Sequence, residues 1–403
     1  MSLTRKNINW AILGSGEIAE ILAEAIYNSS NGQLIAIGSR QNAQSFLDKL
    51  VKKNVYESGE IAGIKRYSDY QELLKDPDIE AVYIGLPNHL HYEWTLKAVK
   101  AGKHVLCEKP FLIAPSDSPN SELVKMDEII AEVEKAKVFC MEAIMYRYHP
   151  FLKQLKKFIV EDKIVGDINL YHGIYTYDIA SIVNPIESSS MRNLGCYVVS
   201  LVRWLAGAEP TEIIANGRID PVTKQDAQAN VILKFANNST ALISTAYDIA
   251  QYAQFEIHGT KGVLKIKSNP WMPEQEDNKI IFISNDGESD ELDITPATQS
   301  LYTYQVDAIN NSIIGGKFVE DGVSLSESKG NVAAVERCVR QVKLINQELK
   351  QFAASPNANQ ELPVPSSFTL RQMLNWGADT KVKLLNQNMD PAISCERYNT
   401  AAI

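Results

Sequence analysis

No two of the five cysteines in this 403-residue chain stand at CxxC spacing, and an odd number cannot close a complete set of internal disulfides. Cys107, Cys140, Cys196, Cys338 and Cys395 are scattered singly, which fits a reducing compartment. A long apolar run is also missing. The start of the chain, Met1 to Trp10, carries Arg5 and Lys6 and then enters a strand-like stretch too short for a signal-peptide core or a membrane span. A cytoplasmic protein with no membrane partner is the expectation. Excess basic charge is absent too: 40 Lys and Arg against 49 Asp and Glu leave a net charge of -9. Phosphate backbones need clustered cations, so nucleic acid is not an expected partner. His89 and His91 flank Leu90 with no carboxylate or cysteine cluster nearby, a poor metal site, and no metal is expected.

What is present is enough apolar material, 45% of the residues, to fill two cores of common size. Residues 8–13 form a short buried-strand run, followed by glycines and then by Ile18 to Ile26 with apolar residues at helical spacing. Strands at 34–38, 81–86 and 104–107 alternate with helices at 41–53 and from His91 to Ala101. Such alternation implies parallel pairing with right-handed crossovers, so residues 1–125 read as a Rossmann domain, an α/β doubly wound parallel sheet to which a strand at 138–142 returns.

Beyond it the period changes to two. Alternating runs at 167–178, 211–219, 227–235, 240–248 and 253–258, extended by 260–267 and 279–284, predict an α+β domain over 147–350 with a large, mainly antiparallel open sheet. Asn237 to Thr240 contains glycosylation-type sequons, but a turn between two strands explains that polar cluster better. One face of the sheet needs a cover of helices or of a second subunit, so a homodimer or homotetramer formed through it is expected. Helices are expected over 301–315 and 327–350, then a linker from Ala353 to Pro365 and a last helix over 369–386. The segment 351–403 reads equally as a docking arm or a loosely attached tail.

Gly14-Ser15-Gly16-Glu17-Ile18-Ala19 fits the GxGxx(G/A) pattern and sits between a strand and a helix, the context dinucleotide binding requires. The first glycine makes the turn, the second admits the pyrophosphate, and amides of the helix that begins near Glu17 face that anion. The second strand ends in Gly38-Ser39-Arg40, where an NAD site would carry an acid. A hydroxyl beside a guanidinium suits a 2′-phosphate, so NADP(H) is expected over NAD(H).

Trp10 to Ala19, Pro87 to His91 and, above all, Val105-Leu106-Cys107-Glu108-Lys109-Pro110 together resemble the glucose-fructose oxidoreductase and inositol dehydrogenase (Gfo/Idh/MocA) family. The similarity continues through Glu142 to Pro150, Gly195-Cys196-Tyr197 and Ile257 to Gly262, covering residues 8–350, and the Met145-Tyr146-Arg147 segment is most similar to the branch of D-xylose and trans-dihydrodiol dehydrogenases. The resemblance implies that Lys109 lies beside the nicotinamide and assists proton transfer at a carbinol, that Glu108 positions the lysine or the cofactor, and that Leu86, Pro87, Asn88 and His91 border the nicotinamide ribose.

The family's second catalytic pair, an Asp four residues before a His or Tyr, falls here on Asn193 and Tyr197, which i, i+4 spacing would place on one helical face. Tyr197 then acts as acid or base, its anion favoured by Lys109, and Asn193 offers a neutral amide. Relatives lead into that helix with glycines and the Asp, whereas this chain reads Glu187-Ser188-Ser189-Ser190-Met191-Arg192-Asn193, a departure that bears on the substrate. Arg192 reads either as a cation for an acidic substrate or as an exposed side chain. Arg147 and Tyr148 read as the border of a substrate cleft, with a salt-bridged structural Arg147 as the equal alternative.

The implied activity is hydride transfer between NADP(H) and a secondary alcohol or ketone of a sugar, cyclitol or cyclic diol, a polyol or keto-sugar being the small-molecule partner. The alternative is a non-catalytic regulatory protein of the same fold that binds dinucleotide and sugar.

Overall fold

The first strand, β1 (Ile8–Leu13), shows why its sheet is parallel: nearly every side chain in it is shielded on both faces, which only a strand covered by helices on each side requires. The computed structural model describes residues 7–40, 42–113, 120–179, 189–318 and 322–353. The segment beyond 353, with the expected linker and the helix expected over 369–386, lies outside these residues, as do Glu187 and Ser188. One compact unit runs to Asn346, and of the second, Gln347–Ile403, only the end of a helix is described.

After β1 the chain alternates through α1 (Glu17–Asn28), β2 (Gly32–Gly38), α2 (Ala43–Lys52), α3 (Ser58–Ala62), β3 (Lys65–Tyr67), α4 (Tyr70–Lys75), β4 (Ala81–Ile84), α5 (His91–Lys100), β5 (His104–Cys107), α6 (Ser121–Ala136) and β6 (Cys140–Glu142). All five pairings are parallel and the strand order is β3-β2-β1-β4-β5-β6, the doubly wound arrangement. Helix starts are set by local chemistry. Asn42 Oδ1 accepts from Ser45 N at 3.0 Å to begin α2, and Asp69 Oδ1 accepts from Gln71 N at 2.7 Å to begin α4.

A 3-10 turn, Met145–Tyr148, leads into α7 (Pro150–Lys156) and β7 (Ile168–Thr176). A π-helical turn, Met191–Gly195, then runs into α8 (Cys196–Ala206). The remaining strands follow as β8 (Glu212–Ile219), β9 (Asp226–Lys234), β10 (Thr240–Ala246), β11 (Tyr252–Gly259), β12 (Gly262–Ile266), β13 (Ile280–Ser284) and β14 (Ser289–Leu292). They form an 8-stranded sheet in the order β14-β13-β12-β11-β7-β10-β9-β8, antiparallel except where β7 meets β10. The polar cluster after β9 is a turn, with Asn237 Oδ1 accepting from Ser239 N at 3.0 Å.

Every residue from Cys196 to Leu205 is buried, so α8 is enclosed rather than laid on a surface. Its approach to the sheet depends on Gly173 of β7, where a Cβ would lie 2.6 Å from Val198 Cγ1. Each fully buried large apolar side chain of this core contributes about 1.5–3 kcal/mol. The last helices are α9 (Leu301–Gly315) and α10 (Leu325–Ala353). Val306 and Ile309 of α9 join the apolar cluster on the first sheet, and Trp10 Nε1 donates to Asn310 Oδ1 at 2.8 Å. Among the described residues, no helix is long and apolar enough to cross a membrane.

Candidate active site at the carboxyl edge of the parallel sheet

Parallel strands deliver their carboxyl ends to one edge, and the switch point between β1 and β4 opens the crevice where such sheets bind ligands. Gly14 makes the turn there. Its φ of 110° is left-handed, and a Cβ would stand 2.5 Å from Gly85 O. At Gly16, the N-cap of α1, a Cβ would meet nothing within 4 Å, and Gly16 and Glu17 are exposed, so the start of α1 opens on free space. This is the cradle that a pyrophosphate needs. Ser15 Oγ lies 2.9 Å from Ser39 Oγ, which joins the glycine turn to the end of β2, and Arg40 beside it is exposed. Leu86, Pro87 and Asn88 follow β4 on the same edge, with Gly85 N donating to Leu13 O at 3.0 Å.

Glu108 and Lys109 follow β5. Glu108 is buried, accepting from Tyr83 Oη at 2.8 Å and from Lys109 N at 3.1 Å. Burial raises its carboxyl pKa against the opposing pull of Lys109 and Tyr83. The Lys109 ammonium reaches the second half of the chain. Its Nζ donates to the backbone oxygen of Asn193 at 3.2 Å and sits 4.8 Å from the centroid of the Tyr197 ring. Thus Lys109, Asn193 and Tyr197 meet, although the lysine faces the phenol's ring rather than its hydroxyl. The Asn193 amide nitrogen is buried with no hydrogen-bond partner among the described residues.

Tyr197 corrects one expectation. Burial, with Tyr302 and Glu108 adding to it, pushes its phenol well above the usual range, so the nearby ammonium does not favour the anion at working pH. Desolvation outweighs a cation placed over the ring face. The i, i+4 argument also changes, because Asn193 lies in a π turn, where Cys196 N bonds back to Met191 O five residues earlier.

Three expected substrate residues are engaged elsewhere. Arg192 is buried and forms a two-pronged ion pair with Glu336 of α10, Nε to Oε1 and Nη2 to Oε2, both at 2.7 Å. Arg147 is buried, donates from Nη2 to Glu327 at 3.0 Å, and lies 4.3 Å over the Trp204 ring. Tyr148 is in the core, its hydroxyl 3.6 Å from Met141 Sδ. Arg147 thus takes its salt-bridged structural alternative, Arg192 is neither exposed nor free for a substrate anion, and Tyr148 is packed away from any cleft. His91 is fully buried between two backbone carbonyls, Pro110 O and Leu86 O.

Sequence reasoning missed Asp226, Tyr83 and Glu142. Asp226, buried at the start of β9, accepts from Ser189 Oγ at 2.6 Å, Ser190 Oγ at 2.8 Å and Met191 N at 2.9 Å. Ser189 and Ser190 therefore anchor the helical segment carrying Asn193 and Tyr197. No local signal marks Asp226. Glu142 carries one, as an acid closing an apolar strand. It is fully buried, and burial raises its pKa to about 7.

A carboxyl that keeps its proton in the folded state until about 7, but loses it near 4.5 when unfolded, stabilises the fold at low pH and ceases to do so as pH rises through that window. Denaturant titrations should show wild-type stability falling between these two pH values, and Glu142→Gln should flatten the slope. An identical slope in the variant would exclude Glu142 as its source.

Among the described residues no group of three or more His, Cys, Asp or Glu side chains is disposed to hold a metal. A glycine cradle at the switch point of a parallel sheet, with a lysine from a neighbouring strand end under a buried tyrosine, is the arrangement of a nicotinamide-dependent oxidoreductase. The chain belongs to the Gfo/Idh/MocA oxidoreductase family: residues 8–142 match its NAD-binding Rossmann-fold model and residues 152–265 its C-terminal domain. An uncharacterized oxidoreductase of Rhizobium meliloti is 31% identical over 285 residues, covering 69% of this chain and 79% of the relative. The trans-1,2-dihydrobenzene-1,2-diol dehydrogenase of Xenopus tropicalis is 25% identical over 83% of this chain and 97% of its own length. Among solved structures, a 3-ketoreductase from Actinomadura kijaniata in complex with NADP superposes with a TM-score of 0.69 at 21% identity, over 83% of this chain and 97% of that one.

Proposed function

We propose that the protein transfers hydride between NADP(H) and a secondary alcohol or ketone of a sugar, cyclitol or cyclic diol. The observation that carries this is the Lys109 ammonium at the end of β5, placed against both Asn193 and Tyr197 at the edge where the glycine cradle opens. A bound nicotinamide supplies or accepts the hydride. The chain's own groups handle the oxygen. Lys109 stabilises the developing alkoxide, and the Tyr197 phenol, kept protonated by burial, donates the proton when a ketone is reduced. The unmatched Asn193 amide supplies a donor for a further substrate oxygen.

The end of β2 favours NADP. Arg40 is exposed, and Ser39 is tied to the cradle through Ser15. Arg40→Ala should weaken NADPH binding by about tenfold or more, the worth of a charge-assisted hydrogen bond, and leave NADH unchanged. Titration of nicotinamide fluorescence measures both constants. Tighter NADH binding by the wild type would remove the preference.

The uncovered face of the 8-stranded sheet is proposed as the contact with a second copy of the chain. Ile214, Ile232 and Leu242 are neighbours on it by register, and Ile232 and Leu242 are 40% and 38% exposed. Ile232→Glu with Leu242→Glu should turn a dimer or tetramer into monomers in light scattering. A wild type already monomeric would refute it. Cys107, Cys140, Cys196 and Cys338 are buried and unpaired, which supports a cytoplasmic setting.

The activity is tested by following NADPH oxidation across a panel of keto-sugars, inosose-type cyclitols and cyclic diketones, and the reverse with NADP and the corresponding alcohols. Saturable turnover within this panel supports the reading. NADPH binding with turnover of none of them would favour the regulatory alternative.

A further inference from the structure

We propose that His91 and Glu142 are positioning residues that fasten the turn carrying Lys109 and lock it to the edge on which the cofactor would lie. The inference deepens the reading of Lys109 as the group that handles the substrate oxygen. Glu108 N still bonds to Ile84 O at 3.0 Å, but beyond it the chain leaves the sheet while its next residues are buried or nearly so, and a buried amide or carbonyl must find a partner.

Three successive backbone groups find theirs on ionisable side chains, one from the turn itself, one from α5 and one from β6. Lys109 N donates to Glu108 Oε2 at 3.1 Å, Pro110 O faces His91 Nδ1 at 2.9 Å, and Phe111 N donates to Glu142 Oε1 at 3.0 Å. The other nitrogen of His91, Nε2, lies 2.8 Å from Leu86 O, in the segment after β4. The imidazole thus spans the gap between two strand ends. One of them carries Lys109, and the other is held against the glycine cradle through the close approach of Gly14 and Gly85.

His91 and Glu142 are fully shielded from solvent, and desolvating such groups is costly where an apolar side chain would pack freely. What they provide is direction. A carboxyl oxygen and ring nitrogens aimed at particular backbone atoms fix the turn to within the tolerance that proton transfer demands, where a misplacement of about 1 Å costs on the order of a hundredfold.

The test uses hydrogen exchange read by mass spectrometry on the full chain without ligand, together with NADPH titration and steady-state kinetics. His91→Phe should raise exchange by about tenfold in both 85–90 and 109–113, the loss expected for a buried hydrogen bond, and leave the second sheet unchanged. Glu142→Leu should raise exchange in 109–113 and, through His91, in 85–90. Glu142→Gln keeps a carbonyl oxygen for Phe111 N and should restore the wild-type pattern. With any substrate found, Glu142→Leu should lower kcat by roughly tenfold to a hundredfold at an unchanged KM for NADPH.

Wild-type exchange in 85–90 for His91→Phe, or a uniform rise across both sheets, would overturn the proposal. If His91→Phe does not fold, the Leu and Gln variants at 142 decide the same question. The exchange arm needs neither cofactor nor substrate, so its failure is separate from failure of the functional reading, which shows as wild-type protein that does not bind NADPH.

Discussion

Replacing Lys109 with methionine should lower kcat by about 10²- to 10⁴-fold while NADPH still binds, the range expected when a positioned proton-handling group is lost. Methionine keeps an unbranched apolar stem against the Tyr197 ring, and the cation–π contact it forgoes is worth only about 0.5–2 kcal/mol, so folding is preserved. The ammonium is what disappears. Without it, charge developing on the substrate oxygen has no cation beside it, only the neutral Tyr197 phenol and the buried Glu108, and the barrier rises. The comparison is steady-state kinetics of wild type and Lys109→Met on the same substrate, with the NADPH constant measured separately. Equal kcat would remove Lys109 from the chemistry, and a matching loss of NADPH binding would reassign it to the cofactor.

The second large effect is on stability. Arg192→Leu leaves the Glu336 carboxylate, 1% exposed, without its two-pronged partner, and breaking a buried pair in this way costs about 3–5 kcal/mol. Removing both partners with Arg192→Leu and Glu336→Leu should recover most of the loss, because two apolar side chains then fill the space with no stranded charge. Urea unfolding of the two single variants and the double variant forms the cycle. If Arg192 instead served an anionic substrate, its replacement would raise KM for such substrates and leave the unfolding midpoint in place.

Much of the parallel half was legible because its signals are local. A strand buried on both faces reads as an apolar run, the glycine pair follows directly, and helices announce themselves by period and cap. Weak strands were not legible. Lys65–Tyr67 and Ser289–Leu292 are short and polar, and each is a strand because a neighbour offers it a ladder at the edge of a sheet.

The sequence also brought Lys109, Asn193 and Tyr197 forward as a set. It could not show that Asn193 meets the ammonium through its backbone oxygen, nor that Ser189 and Ser190 exist to bind Asp226. Those facts join residues tens of positions apart.

Contiguous residues and hydrophobic period were enough to fix the family, the dinucleotide turn at Gly14 to Gly16 and most of the strands and helices, the short edge strands excepted. Tertiary structure alone decided which side chains are available for chemistry. Burial raised the Tyr197 phenol where a nearby cation suggested the opposite, and it enclosed Arg147, Tyr148 and Arg192 in contacts that no spacing rule reveals. Desolvation depends on everything packed around a group, and that is set only when the chain has folded.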